Sequence, residues 1–174
     1  MSHPEAGGGL LRHVDPGRRP NRVARAYAAL AGTRPARFAS RHVGWRLDPL
    51  LLRLTRGRLA STLFFPAAVL ETRGARTGEL RRNAILYFHD GDRVTIVASN
   101  AGSPRHPAWY HNLRAHPEVT FGGIPMVATV VLDGTERKRI WVLADRVFPT
   151  YERYRREAAA SGRSIPIVQL ARRS

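Results

Sequence analysis

Residues 70–88 read LETRGARTGELRRNAILYF and give the strongest indication of the fold. Two apolar runs of the kind found in β-strands flank a stretch that is rich in glycine, threonine and arginine. This pattern predicts a β-hairpin with a strongly basic turn. Such a turn is either a solvated, charged loop or a cradle for an anion, and the pattern alone leaves both interpretations open.

Around this hairpin, the sequence predicts further strands and two helical regions. Helices are predicted at 107–116 and at 135–162, the second with a break at Pro149, because a residue before proline disfavours helix. Strand-like runs are predicted at 64–74, 79–91, 92–100, 118–123, 124–134 and 163–174. Consecutive strands with few helices between them indicate an α+β protein, mainly antiparallel β, built as a sheet or small barrel and not as a Rossmann fold.

The chain before this region differs in composition and predicts a different organisation. Gly, Pro and charge dominate residues 1–20, which we expect to form a flexible arm. Residues 21–62 are predicted to form a helical, basic amphipathic extension, followed by the barrel domain at 63–174. Residues 1–60 hold twelve arginines and three acidic residues, a net charge of +9. An apolar helical stripe edged by arginine is typical of a helix at a membrane surface, and equally of a helix packed on its own domain.

Composition narrows the classes of function. The 174 residues suffice for one domain with a sizeable core. The absence of cysteine excludes disulfides, thiolate zinc sites and cysteine nucleophiles, and the formal charge of +16 attracts polyanions such as nucleic acid, anionic lipid or a phosphorylated cofactor. We find no membrane-spanning run and no secretory signal. A cytoplasmic location is therefore expected, with peripheral binding to the inner face of the membrane as a further expectation.

Two clusters of residues have the composition of a binding site. In residues 72–81 the glycines allow a tight turn that presents N–H groups, with side chains of Arg76, Thr77 and Arg81 as further donors to an anion. After the strand at 92–100, small residues lead into a helix that carries Trp109 and Asn112. Trp109 is either a stacking partner for a flat ring or a core aromatic, and Asn112 either contacts a ligand or is a surface or capping amide.

The remaining patterns are weaker. Tyr151 and Tyr154 share one helical face, where they either line a pocket or pack as in any amphipathic helix. His106, His111 and His116 do not share one helical face, so no metal site is expected. We also find no nucleophile elbow, no Gly-x-Gly-x-x-Gly and no paired carboxylates, so an enzyme with this sequence needs a bound cofactor for its chemistry.

Three motifs, in this order, resemble the deazaflavin-dependent nitroreductase family of actinobacteria. They are TRGARTGELR (72–81), NAILY (83–87) and HPAWYHNLRAHPEV (106–119), and the resemblance runs from about residue 66 to 170. It implies a small split β-barrel of the flavin-binding type with flanking helices and an N-terminal helical extension. It also implies that reduced coenzyme F420 gives a hydride to a quinone, a nitro compound or a similar activated acceptor.

The resemblance also implies which residues act, with Arg76 and Arg81 as ligands of the cofactor's phosphate and polyglutamate tail. The cofactor-binding residues it implies are Arg76, Thr77, Gly78, Arg81, Asn83, Ser99, Asn100, Ala101, Trp109 and Asn112. The catalytic residues it implies are Ser99, Tyr151 and Tyr154. The sequence departs from the family at Asn100, where close relatives often have lysine, and at Leu86 and Phe148, where some members have tyrosine.

The alternatives are an FMN- or haem-type cofactor on the same barrel, or a basic nucleic-acid-binding module. Specific nucleic-acid binding is not expected, because aromatic residues do not alternate with arginine on one sheet face. The partners we expect are a small acceptor such as a quinone, an anionic membrane surface and a second copy of the chain in a homodimer.

Overall fold

The computed structural model describes residues 11–17 and 65–173, and within them the chain forms six strands and three α-helices. The strands are β1 Ala67–Arg73, β2 Leu80–Asp90, β3 Arg93–Val97, β4 Glu118–Phe121, β5 Ile124–Val130 and β6 Ile167–Arg172. The helices are α1 Ala108–Ala115, α2 Gly134–Val147 and α3 Thr150–Ala160. The predicted helical extension at 21–62 lies outside the described residues.

The six strands close into a barrel in the order β1-β2-β3-β6-β5-β4. Every neighbouring pair is antiparallel, and β1 closes the barrel against β4 through Leu70 opposite Phe121. The prediction of an antiparallel barrel with flanking helices is therefore confirmed. The hairpin predicted from residues 70–88 is the β1–β2 pair.

The described residues form two hydrophobic cores, one inside the barrel and one on its outer surface. The barrel interior holds residues such as Leu70, Ile96 and Leu170, none of which is exposed to solvent. Outside the barrel, α2 and α3 cover the strands with a second apolar cluster, which includes Phe88 and Ile167. Because successive side chains of a strand point to opposite faces, β2, β3 and β6 contribute to both cores.

The break between α2 and α3 lies where the sequence predicts it. The Asp133 carboxylate accepts the N–H of Glu136 at 2.7 Å and caps the start of α2. Phe148 ends α2 with φ −138° and ψ 91°, because Pro149 disfavours a helical conformation in the residue before it. The chain then re-enters helix at Thr150.

Residues 11–17, here called the N-terminal segment, pack on the barrel. The N–H of Val14 donates to Nδ1 of His89 at 3.1 Å, and the N–H of His89 donates to the carbonyl of Val14 at 2.9 Å. The Tyr87 hydroxyl donates to the carbonyl of Arg12 at 2.9 Å. The sequence predicted a flexible arm at 1–20, and these contacts instead anchor the N-terminal segment; the rest of the arm lies outside the described residues.

Candidate functional site

The turn between β1 and β2, residues 74–79, is called the basic turn. It is closed by hydrogen bonds from Gly74 N–H to Glu79 O at 2.8 Å and from Gly78 N–H to Gly74 O at 2.9 Å. Gly78 has φ +69°, and a Cβ on Gly74 would lie 2.9 Å from the Thr77 Oγ1. The positive φ favours glycine at position 78, as the sequence predicts, while a side chain at position 74 would have to displace the Thr77 hydroxyl.

The basic turn has the groups that bind an anion. Within the part of the chain described, the N–H groups of Arg76 and Thr77 have no protein acceptor, and both residues are exposed. Arg76 makes no ion pair with a described residue, while Arg81 pairs with Glu79 at 2.5 Å. Because both members of that pair are more than half exposed, an incoming anion can compete with Glu79 for Arg81.

The strand register separates the arginines of this hairpin by face. Arg81 lies opposite Thr72, and Asn83 lies opposite Leu70, so both are on the strand face that lines the barrel. Arg82 lies opposite Glu71 on the outer face and pairs with its carboxylate at 2.5 Å. The register thus places Arg81 and Asn83, but not Arg82, on the face that continues into the barrel interior.

Asn112 on α1 joins the helix to the basic turn. Its Oδ1 accepts the N–H of Ala75 at 3.1 Å, and its Nδ2 donates to the Thr72 hydroxyl at 3.1 Å. Asn112 is 9% exposed and Thr72 is 1% exposed. The interpretation of Asn112 as a surface amide is therefore wrong. Its side chain connects α1 to the basic turn through these two hydrogen bonds, a connection here called the latch.

The hydrogen-bonded pairing of β2 with β3 covers only part of β2. Within the described residues, β2 pairs with β1 over 80–86 and with β3 only over 87–90. The edge of β2 at 80–86 therefore has no second strand neighbour, and the chain that leaves β3 runs on as residues 99–103, here called the β3 loop. This part of β2 carries Arg81 and Asn83, and the β3 loop carries Ser99.

The β3 loop holds an unusual backbone conformation. Asn100 and Ala101 have φ of +47° and +50°, which costs a non-glycine residue roughly 1–2 kcal/mol each. The Asn100 side chain donates to the carbonyl of Arg105 at 2.8 Å, and the Ser99 hydroxyl makes no hydrogen bond with a described residue. Strain of this kind persists where the surroundings hold it, and it concentrates at functional sites.

The predicted aromatic residues are buried. Trp109 is 5% exposed in the barrel core, which is the core alternative left open by the sequence. Tyr151 and Tyr154 lie in the outer cluster with Phe148, at centroid distances of 5.1 and 6.2 Å from its ring. Burial raises the pKa of Tyr151, so its hydroxyl stays protonated at neutral pH.

Sequence reasoning missed Arg163, which follows α3 and is 7% exposed. Its guanidinium donates to the carbonyl of Ala98 at 3.2 Å and to the carbonyl of Ser99 at 2.5 Å. It also lies 3.2 Å from Nδ1 of His106. No local pattern marks Arg163, because its partners are 57–65 residues away along the chain.

Among the described residues, no three His, Cys, Asp or Glu side chains come together as a metal site. In the same residues, no helix combines the length and the apolar character that crossing a bilayer requires.

The sequence profile described as F420H(2)-dependent quinone reductase matches residues 45–171. The chain belongs to this family. An F420H(2)-dependent quinone reductase of Mycobacterium tuberculosis is 34% identical to it over 148 residues, which cover 79% of this chain and 98% of the relative. A solved structure described as an F420-H2 dependent reductase (FDR-A) is 31% identical, with a TM-score of 0.52, and covers 60% of this chain and 93% of its own. Another, described as a domain-swapped dimer, is 27% identical, with a TM-score of 0.54, and covers 70% of this chain and 93% of its own.

Membership in the F420H(2)-dependent quinone reductase family confirms that the chain is an F420-dependent reductase, an oxidoreductase whose cofactor is coenzyme F420. The residues present fit an anionic cofactor. The basic turn offers N–H groups that have no acceptor among the described residues, next to Arg76, and the Ser99 hydroxyl of the β3 loop has no hydrogen-bond partner among those residues either.

Proposed function

We propose that this enzyme transfers a hydride from reduced coenzyme F420 to a quinone. Family membership over residues 45–171 carries the proposal, and the quinone acceptor follows from the family description and from the name of the mycobacterial relative. When bound in its reduced form, the cofactor supplies the hydride. The protein supplies binding, orientation and exclusion of water.

The basic turn is proposed to bind the anionic tail of the cofactor. The N–H groups of Arg76 and Thr77 make no hydrogen bond with a described residue, and the cations of Arg76 and Arg81 can add charge-assisted hydrogen bonds to an anion. Gly78 provides the positive φ of the turn, and Asn83 lies on the same face of β2 as Arg81. Asn112 is proposed to act through the turn that it latches.

The β3 loop is proposed to orient the deazaflavin ring. Its residues Ser99, Asn100 and Ala101 follow β3 where its pairing with β2 has ended, and Trp109 supports the site from the barrel core. Tyr151 and Tyr154, which pack beneath the loop on α3, are proposed to border the acceptor and to hold their protons there. The raised pKa of Tyr151 favours hydrogen-bond donation over ionisation.

Binding and turnover of the cofactor test the proposal directly. Titration of the full chain with coenzyme F420 should quench protein fluorescence with low-micromolar or tighter affinity. Under anaerobic conditions, the enzyme should then re-oxidise reduced F420 when a soluble naphthoquinone is added. Absence of both binding and re-oxidation would refute the proposed function, and binding of FMN in preference to F420 would favour the flavin alternative.

Arginine variants test the assignment of the tail site. Arg76→Ala should weaken F420 binding by about tenfold or more, since one charge-assisted contact contributes about 1.5–3 kcal/mol. Arg81→Ala should weaken it less, because Glu79 already neutralises part of that charge. Arg82→Ala is the matched control: it removes the same charge from the neighbouring residue on the opposite strand face. Equal losses in Arg76→Ala and Arg82→Ala would show that net charge alone attracts the cofactor.

The proposed quinone acceptor and the basic sequence of residues 21–62 together suggest that the enzyme acts at a membrane surface. A lipid-soluble quinone is reached at a membrane surface, and residues 1–60 carry a net charge of +9. We propose that the basic extension binds anionic lipid peripherally. Vesicles with anionic lipid should retain the full chain, and neutral vesicles should not; equal behaviour with both kinds of vesicle contradicts the proposal.

A homodimer is also proposed, with support from the neighbouring structure described as a domain-swapped dimer. Light scattering on the full chain should give twice the mass of 19.4 kDa. A mass equal to that of one chain across the concentrations tested would remove this part of the proposal.

A further inference from the structure

The β3 loop needs an external restraint. Two consecutive non-glycine residues, Asn100 and Ala101, have left-handed backbone angles, and Gly102 follows with φ +74°. Left-handed angles are unfavourable for residues other than glycine, and they persist only where neighbouring structure holds them. Among the described residues, hydrogen bonds from Gly102 N–H to Ser99 O at 3.1 Å and from Ser103 N–H to Asn100 O at 3.0 Å close the last turn of the loop, and the Asn100 side chain donates to the carbonyl of Arg105 at 2.8 Å.

Arg163 holds the start of the loop. Its two terminal nitrogens donate to the carbonyls of Ala98 and Ser99, the last two residues before the left-handed segment. The N–H of Arg163 itself donates to Ala158 O at 2.9 Å, so the C-terminal end of α3 fixes the origin of the side chain. The planar guanidinium is suited to bridging two acceptors, and a lysine ammonium is not.

His106 completes the contact from the other side. Nη1 of Arg163 lies 3.2 Å from Nδ1 of His106, and because arginine only donates, Nδ1 must carry a lone pair. The imidazole is therefore neutral, with its proton on Nε2. Burial lowers the pKa of His106, and the positive charge of Arg163 lowers it further.

We propose that Arg163 is a positioning residue for hydride transfer: by binding the carbonyls of Ala98 and Ser99, it fixes the strained β3 loop in the conformation that orients the reactive ring. The inference rests on the proposed function for its catalytic consequence, because the loop is proposed there to border the ring. Its structural part, the ordering of the loop, stands on the contacts of Arg163 alone.

Hydrogen exchange on the cofactor-free protein tests the structural part. In Arg163→Gln, the amides of Gly102 and Ser103 should exchange about tenfold faster or more, since loss of charge-assisted hydrogen bonds of this kind shifts a local equilibrium by at least this factor. Strands β1 and β6 should keep their protection. Arg137→Gln is the matched control, because Arg137 also donates to a backbone carbonyl of the α3–β6 connection, that of Ile165 at 2.7 Å, and does not touch the loop.

Kinetics test the catalytic part. Arg163→Gln should lower kcat about tenfold or more while the affinity for F420 changes little, because the basic turn is untouched. Arg163→Lys, which keeps the charge and reaches one carbonyl at a time, should recover part of both readouts. Unchanged loop exchange in a folded Arg163→Gln protein would overturn the proposal, as would equal effects of Arg137→Gln. Failure of the wild type to bind F420 would refute the proposed function and leave the exchange result standing.

The pH dependence separates positioning from general stability. Besides Arg163, the groups that face His106 are His111, at a centroid distance of 5.9 Å, the cation of Arg114 and the ring of Tyr110. Since the folded pKa of His106 is lowered, the contact is fully present above about pH 6.5 and is lost as pH falls below it. Exchange of the loop amides should therefore increase on acidification beyond the intrinsic change, and His106→Gln, whose amide oxygen accepts at every pH, should remove this increase. A pH response that persists in His106→Gln would refute the role of His106.

Discussion

Removal of the Asn112 side chain should destabilise the fold by an amount that follows from its two hydrogen bonds. Asn112→Ala deletes the acceptor of the Ala75 N–H and the donor to Thr72, each contributing about 1 kcal/mol. Ala75 is exposed, so water can replace its partner, but Thr72 is 1% exposed and keeps an unsatisfied hydroxyl. The expected loss in free energy of unfolding is about 2–3 kcal/mol.

A double-mutant cycle with Thr72→Val isolates one of these bonds. Valine has nearly the shape of threonine and lacks the hydroxyl, so the cycle should return a coupling energy of about 1 kcal/mol. The measurement is urea denaturation of all four proteins, followed by tryptophan fluorescence, with slopes compared to check that unfolding stays two-state. A coupling energy near zero would refute the latch between α1 and β1.

The same variants decide how Asn112 affects the cofactor. If Asn112 acts through the basic turn, Thr72→Val should also weaken F420 binding, although Thr72 faces the barrel interior and lies beneath the turn. If Asn112 instead contacts the tail directly, Asn112→Ala should weaken binding while Thr72→Val leaves it unchanged. Fluorescence titration of both single variants distinguishes the two mechanisms.

Three further perturbations have defined outcomes. Thr95→Val should raise the free energy of unfolding by about 1 kcal/mol in urea denaturation, because the Thr95 Oγ1 is fully buried and has no hydrogen-bond partner among the described residues. Acidification below about pH 6.5 should release the N-terminal segment. The Nδ1 of His89 accepts a hydrogen bond from that segment, and burial lowers the pKa of His89. Protonation of His89 in the folded state breaks this hydrogen bond, so its contribution to stability is lost as the pH falls. Hydrogen exchange of the segment between pH 8 and 5 measures this release. Gly102→Ala should be more destabilising than Gly78→Ala. Both positions have positive φ, so each alanine lowers the free energy of unfolding by roughly 1 kcal/mol through backbone strain. A Cβ on residue 102 would also lie 3.0 Å from the Cβ of Glu157, whereas a Cβ on residue 78 meets no atom within 4 Å.

Local patterns predicted the elements of the barrel well. The hairpin of residues 70–88, the break at Pro149 and the start of α1 after Pro107 each depend on residues adjacent in sequence. Turn residues and alternation act at this short range, so they can be recognised without knowledge of the fold. The glycines of the basic turn were predicted for the same reason.

The contacts that organise the site could not be predicted in this way. Asn112 reaches Thr72 across 40 residues, and Arg163 reaches Ala98 across 65. Val14 reaches His89 across 75, so a segment that reads as a flexible arm is anchored. Each contact depends on closure of the barrel, and a single sequence contains no pattern that marks residues brought together only by that closure.

Helix α1 links the two halves of the proposed site. Asn112 in its middle binds the basic turn, while His106, two residues before its start, contacts the arginine that holds the β3 loop. The helix packs on β1 and buries Trp109 and Leu113 in the barrel core, so it cannot shift without disturbing that core. One short, rigid element therefore sets the distance between the groups proposed to bind the anionic tail and the loop proposed to orient the ring. Hydride transfer requires the donor carbon and its acceptor to lie about 3–3.5 Å apart. Because this separation must be held to within a fraction of an ångström, the fixed spacing is a physical reason to build both contacts on the same helix.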